Sequence, residues 1–283
     1  MILSSNIFGF NNEFGIKKTI DIFSEAGFEG IDFNLDLPQY QKNDYTPEYY
    51  MELREYAKSR GIGFYQSHAP FGHKVEDEIE NNYFFPEVAK ALENSLYLGA
   101  EMMVVHPCRE MENYREAGTY DRLLEKNIDF YKRLIPYYEE YGVKIAIENI
   151  GWCITDTADG LLDLYNNLNN EAFTICFDAG HAGVCGQDVV SMAKKFGDKI
   201  GCTHIHDNDG VKDSHTLPYY GVIDWEAVMK ALAECGYKGN LNYEAGLFIN
   251  NLPLELRADG AKYMAKVGNY LISRFNHYKG DNN

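Results

Sequence analysis

Four short apolar runs in this 283-residue chain each end on a carboxylate or an imidazole. They are Lys144-Ile145-Ala146-Ile147-Glu148, Thr174-Ile175-Cys176-Phe177-Asp178, Gly201-Cys202-Thr203-His204 and Asn240-Leu241-Asn242-Tyr243-Glu244. Their terminal residues stand 30, 26 and 40 positions apart, the spacing of strand–helix units. A buried strand that closes on a metal-ligand residue, repeated at this interval, is expected of a (β/α)8 barrel. In that fold the functional groups sit at the C-terminal ends of the strands.

The rest of the chain keeps the same rhythm. Apolar runs at 2–6, 30–34, 63–67, 102–105, 144–147, 174–177, 201–205 and 240–243 read as strands. Between them the apolar spacing turns helical, as in Ile16, Ile20 and Phe23, or Leu124, Ile128, Tyr131 and Ile135. A last helix is expected over 254–275. Eight alternations of strand and helix favour a parallel sheet closed into a barrel. The length suits one such α/β TIM barrel of about 250 residues plus loops. With no Pro/Ser/Gly-rich linker or charge block, residues 1–283 read as a single domain. Gly30, Gly61, Gly99, Gly142 and Gly239 stand where helix C-caps are expected.

Apolar residues make up 45% of the chain, too many for a disordered one. No apolar run approaches the roughly 20 residues of a membrane helix. Met1-Ile2-Leu3-Ser4-Ser5 lacks the basic start of a signal peptide and reads as the first strand, so a cytoplasmic protein is expected. The six cysteines are scattered, with no C-x-x-C pair, which fits a reduced compartment. The formal net charge of −17 speaks against a nucleic-acid partner and favours cation uptake. There is no G-x-G-x-x-G, no G-x-x-x-x-G-K-[ST] and no G-x-S-x-G.

Glu148, Asp178, His204 and Glu244 form a hard oxygen/nitrogen set that suits Mn²⁺, Mg²⁺, Co²⁺ or Zn²⁺. Any one of them could merely cap a strand. Three carboxylates converging on one barrel mouth repel each other, and a cation is the simplest neutraliser. His68, His106, His181, Asp213 and His215 stand at equivalent places and are candidates for additional metal ions or for gripping a substrate. His73 and His206 read as loop hydrogen-bonders, and Asp32 as a hydrogen-bonding group inside the barrel. Trp152 and Trp225 read as packing residues before sugar platforms.

On these residues the chain resembles the xylose isomerase-like barrel superfamily, and within it the sugar phosphate isomerase/epimerase group. The matching motifs are Ser67-His68-Ala69-Pro70, Val105-His106-Pro107, Ile147-Glu148-Asn149, Phe177-Asp178-Ala179-Gly180-His181, His204-Ile205-His206-Asp207, Asp213-Ser214-His215 with Pro218 after it, and Tyr243-Glu244. The resemblance implies an enzyme in which Glu148, Asp178, His204 and Glu244 bind one divalent ion. Glu148 and Glu244 would also exchange protons at a carbon next to a carbonyl, on opposite faces of a sugar or sugar phosphate. His181 would contact a substrate oxygen. Members of that group often pair, so a homo-oligomer is an expectation.

Two positions depart from ketose epimerases. Ile154 replaces an acidic residue six positions after the first glutamate, and Gly210 replaces an arginine six positions after the metal histidine, with Lys212 the nearest cation. The same superfamily contains the endonuclease IV type, which holds three zinc ions on nine ligands. His68, His106, Glu148, Asp178, His181, His204, Asp213, His215 and Glu244 match those nine in order. The alternatives to an isomerase are therefore a multi-zinc phosphodiesterase and a barrel that binds a metabolite without converting it.

Overall fold

A computed structural model of the protein describes residues 1–37, 39–40, 45–71, 84–108 and 113–280. Eight parallel strands form one sheet: β1 (Leu3–Asn6), β2 (Gly30–Asn34), β3 (Gly63–His68), β4 (Met102–Val105), β5 (Lys144–Glu148), β6 (Phe173–Asp178), β7 (Ile200–His204) and β8 (Leu241–Tyr243). The order is β7-β6-β5-β4-β3-β2-β1-β8. The remaining seam closes just past β7, where Ile205 N donates to Asn242 O at 2.8 Å and Glu244 N donates to Ile205 O at 3.1 Å. The sheet is thus the (β/α)8 barrel that the spacing predicts.

The helices needed below are α1 (Pro47–Ser59), α2 (Phe85–Leu98), α3 (Ala117–Lys132), α4 (Ile135–Tyr141), α5 (Ala179–Val184), α6 (Trp225–Glu234) and α7 (Arg257–Gly280). The final helix starts at Arg257, after a 3₁₀ turn at Leu254–Leu256, and runs on to Gly280. Gly99 and Gly142 cap helices in the left-handed conformation, as expected. Gly30 does not. It lies inside β2, where a Cβ would come within 2.8 Å of Ser4 and Tyr65. Gly239 answers a similar close approach, to the Tyr237 hydroxyl.

The helical face of α3 is one position away from the expected one. Leu123, Asn127, Phe130 and Tyr131 are buried, while Leu124 and Ile128 are only partly so. A polar residue on the inward face misleads a purely apolar reading. Asn127 is there because it receives Cys108 N (2.7 Å) and donates to Cys108 O (2.9 Å). Tyr131 adds a bond from its hydroxyl to Val105 O at 2.8 Å. Together they fix the chain on both sides of His106.

Side chains alternate across a strand, so each strand carries an inner and an outer row. Ile145, Ile147, Ile175, Phe177, Leu241 and Tyr243 face outward and join the large apolar core shared with the helices. Val104, Ala146, Cys176 and Cys202 point inward and form a separate small cluster. Beside that cluster Asp32 Oδ2 accepts from Gln66 Nε2 (3.1 Å) and Asn242 Nδ2 (2.8 Å). Two residues further along the strands, the inner row becomes His68, His106, Glu148, Asp178, His204 and Glu244.

Small side chains in the inner layer leave little room for addition. Ala146→Leu is expected to overpack it and cost about 1–3 kcal/mol, read as a lower urea midpoint at unchanged slope; an unchanged midpoint would contradict this packing.

Candidate metal and active site

The strand ends deliver the four residues to one point. Glu148, Asp178, His204 and Glu244 each offer a ligand atom, and these atoms lie within 4.8 Å of one another. His204 Nδ1 is central: it stands 2.9 Å from Glu148 Oε1, 3.4 Å from Glu244 Oε2 and 3.8 Å from Asp178 Oδ2. Its other nitrogen lies 3.3 Å from Asp32 Oδ2, at an angle too poor for a hydrogen bond. Asp32 therefore lies inside the barrel as expected, and it also backs His204.

Local contacts hold the carboxylates. Asn149 clamps the ends of β5 and β6 with two 2.8 Å bonds, one to Asp178 O and one from Asp178 N. Asp178 in turn caps α5 by accepting His181 N at 2.6 Å. This places His181 Nδ1 3.3 Å from Glu148 Oε1 and 3.4 Å from Asp178 Oδ2.

The flanking candidates arrive in two groups. His68 Nε2 and His106 Nε2 lie 3.1 Å apart, and they stand 3.6 Å and 2.8 Å from Glu148 Oε2. His181, His206, Asp213 and His215 form the second group on the other side. Asp213 Oδ2 lies 3.4 Å from His181 Nε2 and 3.2 Å from His215 Nε2. His206 is more than a loop hydrogen-bonder. It sits 3.1 Å from both Asp178 oxygens and stacks on His215 with centroids 3.8 Å apart. Its ring also explains Gly180, because a Cβ there would overlap His206. The H-x-H spacing, which keeps both rings on one strand face, was the available signal for it. His73 lies outside the described residues.

The long loop at 207–224 is organised by Asp207, the last residue of the His204-Ile205-His206-Asp207 motif. The buried Asp207 carboxylate receives Trp225 Nε1 (2.8 Å), Tyr219 N (3.1 Å), Asn208 N (2.9 Å) and Ile223 N (3.3 Å). Its backbone pairs with Thr216 in both directions. Asp213 and His215 ride on this loop, and His215 is pinned further by its Nδ1, 2.9 Å from Glu244 O. Trp225 is a packing residue, as expected. Trp152 is not: it is 44% exposed and stands at the mouth of the site.

Burial disfavours charge here, and the neighbours overrule it. Burial opposes ionisation of Glu148, yet His204 and His106 hold its carboxyl well below the ordinary range. Asp178 is lowered against the same penalty by His181 and His206. Burial opposes protonation of His204, but Glu244 and Glu148 push it well above its ordinary value. His68 is carried up to about 9 against burial by Glu148 and Asp36. For His106 burial prevails, and it falls to about 4.

Among the described residues, several buried atoms have no hydrogen-bond partner: Glu148 Oε2, Glu244 Oε2, His204 Nε2, His206 Nδ1 and Asp213 Oδ1. Glu148 Oε2 is close to His106 Nε2 without the alignment of a hydrogen bond. Buried polar atoms are rarely left unpaired, and unpaired carboxylate oxygens converging among imidazoles fit a divalent cation. Above them opens a cleft of about 160 Å³ whose walls include Phe71, Trp152, Asp213 and Glu244.

The sequence profile described as xylose isomerase-like TIM barrel matches residues 20–265. The chain belongs to this family. An uncharacterised protein of Sinorhizobium fredii is 27% identical over 257 residues, 81% of each chain. An inosose isomerase of Bacillus velezensis is 23% identical over 240 residues, 81% of this chain and 82% of that protein. Among solved structures, a D-tagatose 3-epimerase-like protein superposes with a TM-score of 0.79 at 22% identity, covering 98% of this chain and 99% of that one. The IolI protein with a bound zinc atom gives 0.77 at 24% identity, with the same coverage of both chains. This xylose isomerase-like barrel shares its fold with those structures along nearly its whole length.

The raised values of His204 and His181 leave both rings protonated near neutral pH in the metal-free protein. Imidazole ligates a metal only when neutral, so an incoming ion must expel protons. Zinc binding is expected to release protons, and its affinity to fall as the pH drops from about 8 to about 6. Calorimetry in buffers of different ionisation enthalpy checks this; a buffer-independent heat with a flat affinity contradicts it.

Proposed function

We propose that the protein is a divalent-metal-dependent isomerase or epimerase of a small polyhydroxylated carbonyl compound. One observation carries this reading: four ligand atoms from four strands meet within 4.8 Å, with unpaired oxygens on Glu148 and Glu244. The names of the relatives, an inosose isomerase and a tagatose epimerase-like protein, point the same way.

Glu148, Asp178, His204 and Glu244 would hold the ion, for which zinc, manganese, magnesium and cobalt all suit the donor set. A bound divalent ion supplies Lewis acidity, which polarises a carbonyl and acidifies the neighbouring C–H. The residues do the rest. Glu244 borders the cleft and Glu148 lies beneath it, fully buried. His204 keeps Glu148 ionised, the state that accepts a proton. In this reading one glutamate takes the proton from carbon and the other returns one to the opposite face. Phe71 and Trp152 flank the opening and limit water at the reacting carbon.

The nearby groups favour a second reading. His68 Nε2, His106 Nε2 and Glu148 Oε2 crowd together, and His181, His206, Asp213 and His215 gather beside them. Up to three ions could be held, as in an endonuclease IV-like phosphodiesterase. Metal counting on the loaded protein and cleavage of an abasic duplex separate the two.

The first reading predicts deuterium uptake from heavy water into D-tagatose or a keto-inositol by the zinc- or manganese-loaded enzyme. Glu148→Gln and Glu244→Gln are each expected to lower that exchange about 100-fold or more with an unchanged circular dichroism spectrum. Full exchange in both variants would remove the proton-transfer reading.

A further inference from the structure

Outside the cleft, the barrel carries tyrosines on a surface where charged residues would be ordinary. Tyr219 and Tyr220, on the 207–224 loop, are 49% and 56% exposed, and Tyr263 and Tyr270, on α7, are 45% and 52% exposed. They form one surface. Tyr219 packs on Tyr270 with ring centroids 6.1 Å apart. Phe248, shortly after β8, bridges Tyr220 at 5.5 Å and Tyr263 at 6.3 Å. Tyr263 and Tyr270 are separated by about two helical turns, which puts them on one side of α7.

The backbone is strained to keep this surface. Tyr219 adopts φ = 75°, a left-handed conformation that a tyrosine rarely takes. The buried Asp207 carboxylate fixes it there by accepting Tyr219 N at 3.1 Å. Strain of this kind persists only where the surroundings hold it, and the residue held here is an exposed aromatic. Half-exposed tyrosines present roughly 100 Å² each, and a monomer rarely leaves more than a few hundred Å² of contiguous apolar surface bare. Exposed Val222 and Leu247, close in the chain to Tyr220 and Phe248, extend the patch toward the roughly 800 Å² per partner of a stable dimer.

Charge selects the occupant. The chain carries a formal −17, yet α7 contains no Asp or Glu from Gly260 to Gly280. Around the tyrosines, Lys262 pairs with Asp259 at 2.9 Å and Arg274 with Glu226 at 2.8 Å. This face is therefore close to neutral, and the acid surplus lies elsewhere. A nucleic acid would meet a strongly acidic chain and, at this patch, cations already paired. A basic protein would be drawn to the acid surplus and not to this face. Two copies of one acidic chain repel least where their acids are already paired.

We propose that this tyrosine face is the contact surface between two copies of the chain, joined across a two-fold axis with the 207–224 loop inside the contact. Tyrosine suits such a surface, since its ring supplies area and its hydroxyl tolerates water before the copies meet. The same loop carries Asp213 and His215, so pairing braces one wall of the site. The surface is independent of which reaction that site performs.

Sedimentation of the wild-type chain across about 1–100 µM is expected to show a species of at least twice the 32.4 kDa chain mass. The double variant Tyr263→Glu/Tyr270→Glu is expected to weaken pairing about 100-fold or more, while Tyr263→Phe/Tyr270→Phe keeps it. Tyr220→Glu probes the same contact from the loop side, with loss of pairing again expected. Met51→Glu, at an exposed apolar residue of α1, is expected to leave pairing unchanged. Thermal melting verifies that each variant folds. Hydrogen exchange over 211–222 is expected to be slower in the wild type than in the paired-glutamate variant. A monomeric wild-type chain, pairing that survives the glutamates, pairing lost equally in Met51→Glu, or equal exchange at the loop overturns the proposal.

Discussion

The structure depends on a set of charges that could not be buried singly. Glu148, Asp178 and His204 are fully buried, and Glu244 is nearly so. The buried groups are tolerable only because the others surround them: imidazoles lower Glu148 and Asp178, and carboxylates raise His204. A buried charge without its partner is worth several kcal/mol of penalty. The barrel provides this grouping through its geometry alone. Alternation along parallel strands puts the inner-row residues of every strand end at one mouth, whatever their distance in sequence.

Precision at that mouth comes from residues one step behind it. Asn149 ties β5 to β6, Asn127 and Tyr131 hold the segment that carries His106, and Asp32 backs His204. Asp207 folds the long loop around its own carboxylate and so presents Asp213 and His215. All of these are buried polar groups with named partners. Losing one would leave its backbone or side-chain partners unpaired and free the candidate ligand residues that it positions.

Much of this was legible in the sequence, for a physical reason. A strand that ends on a charged residue is a local pattern, so Glu148, Asp178, His204 and Glu244 could be picked out without knowing the tertiary structure. His68 and His106 end apolar runs in the same way, while His181 was picked out by its place after Asp178, and Asp213 with His215 by their D-x-H spacing in the long loop. The supporting residues were not legible. Asn127 drew no attention on apolar spacing, because its partner at Cys108 is 19 positions away and is bound through backbone groups. Asp207 closed a matching motif, but its role was not legible, since nothing in its neighbourhood announces four converging donors. Trp152 was read as packing because exposure is a tertiary property. His206 was underrated because its partner, Asp178, comes from another strand.

Glu148 is where the two chemical readings diverge. Its Oε1 faces His204 and the Glu244 side, and its Oε2 faces His68 and His106. With an ion on the first side only, the second oxygen keeps basicity and can accept a proton. With ions held on both sides by His68, His106 and His204, two positive charges would drain that basicity, and Glu148 would serve as a ligand and not as a base. His106 tilts the balance. Burial drives it toward the neutral form, about 4, with its Nε2 2.8 Å from Glu148 Oε2. A neutral imidazole this close to a carboxylate oxygen could, after a small turn, donate its own hydrogen to that oxygen, or it could share a cation with it. In the first case it holds Glu148 in place for proton transfer at carbon. In the second it makes Glu148 a shared ligand, leaving Glu244 as the acid/base group that borders the cleft. The choice between isomerase and phosphoesterase chemistry thus reduces to what occupies the gap between one imidazole nitrogen and one carboxylate oxygen.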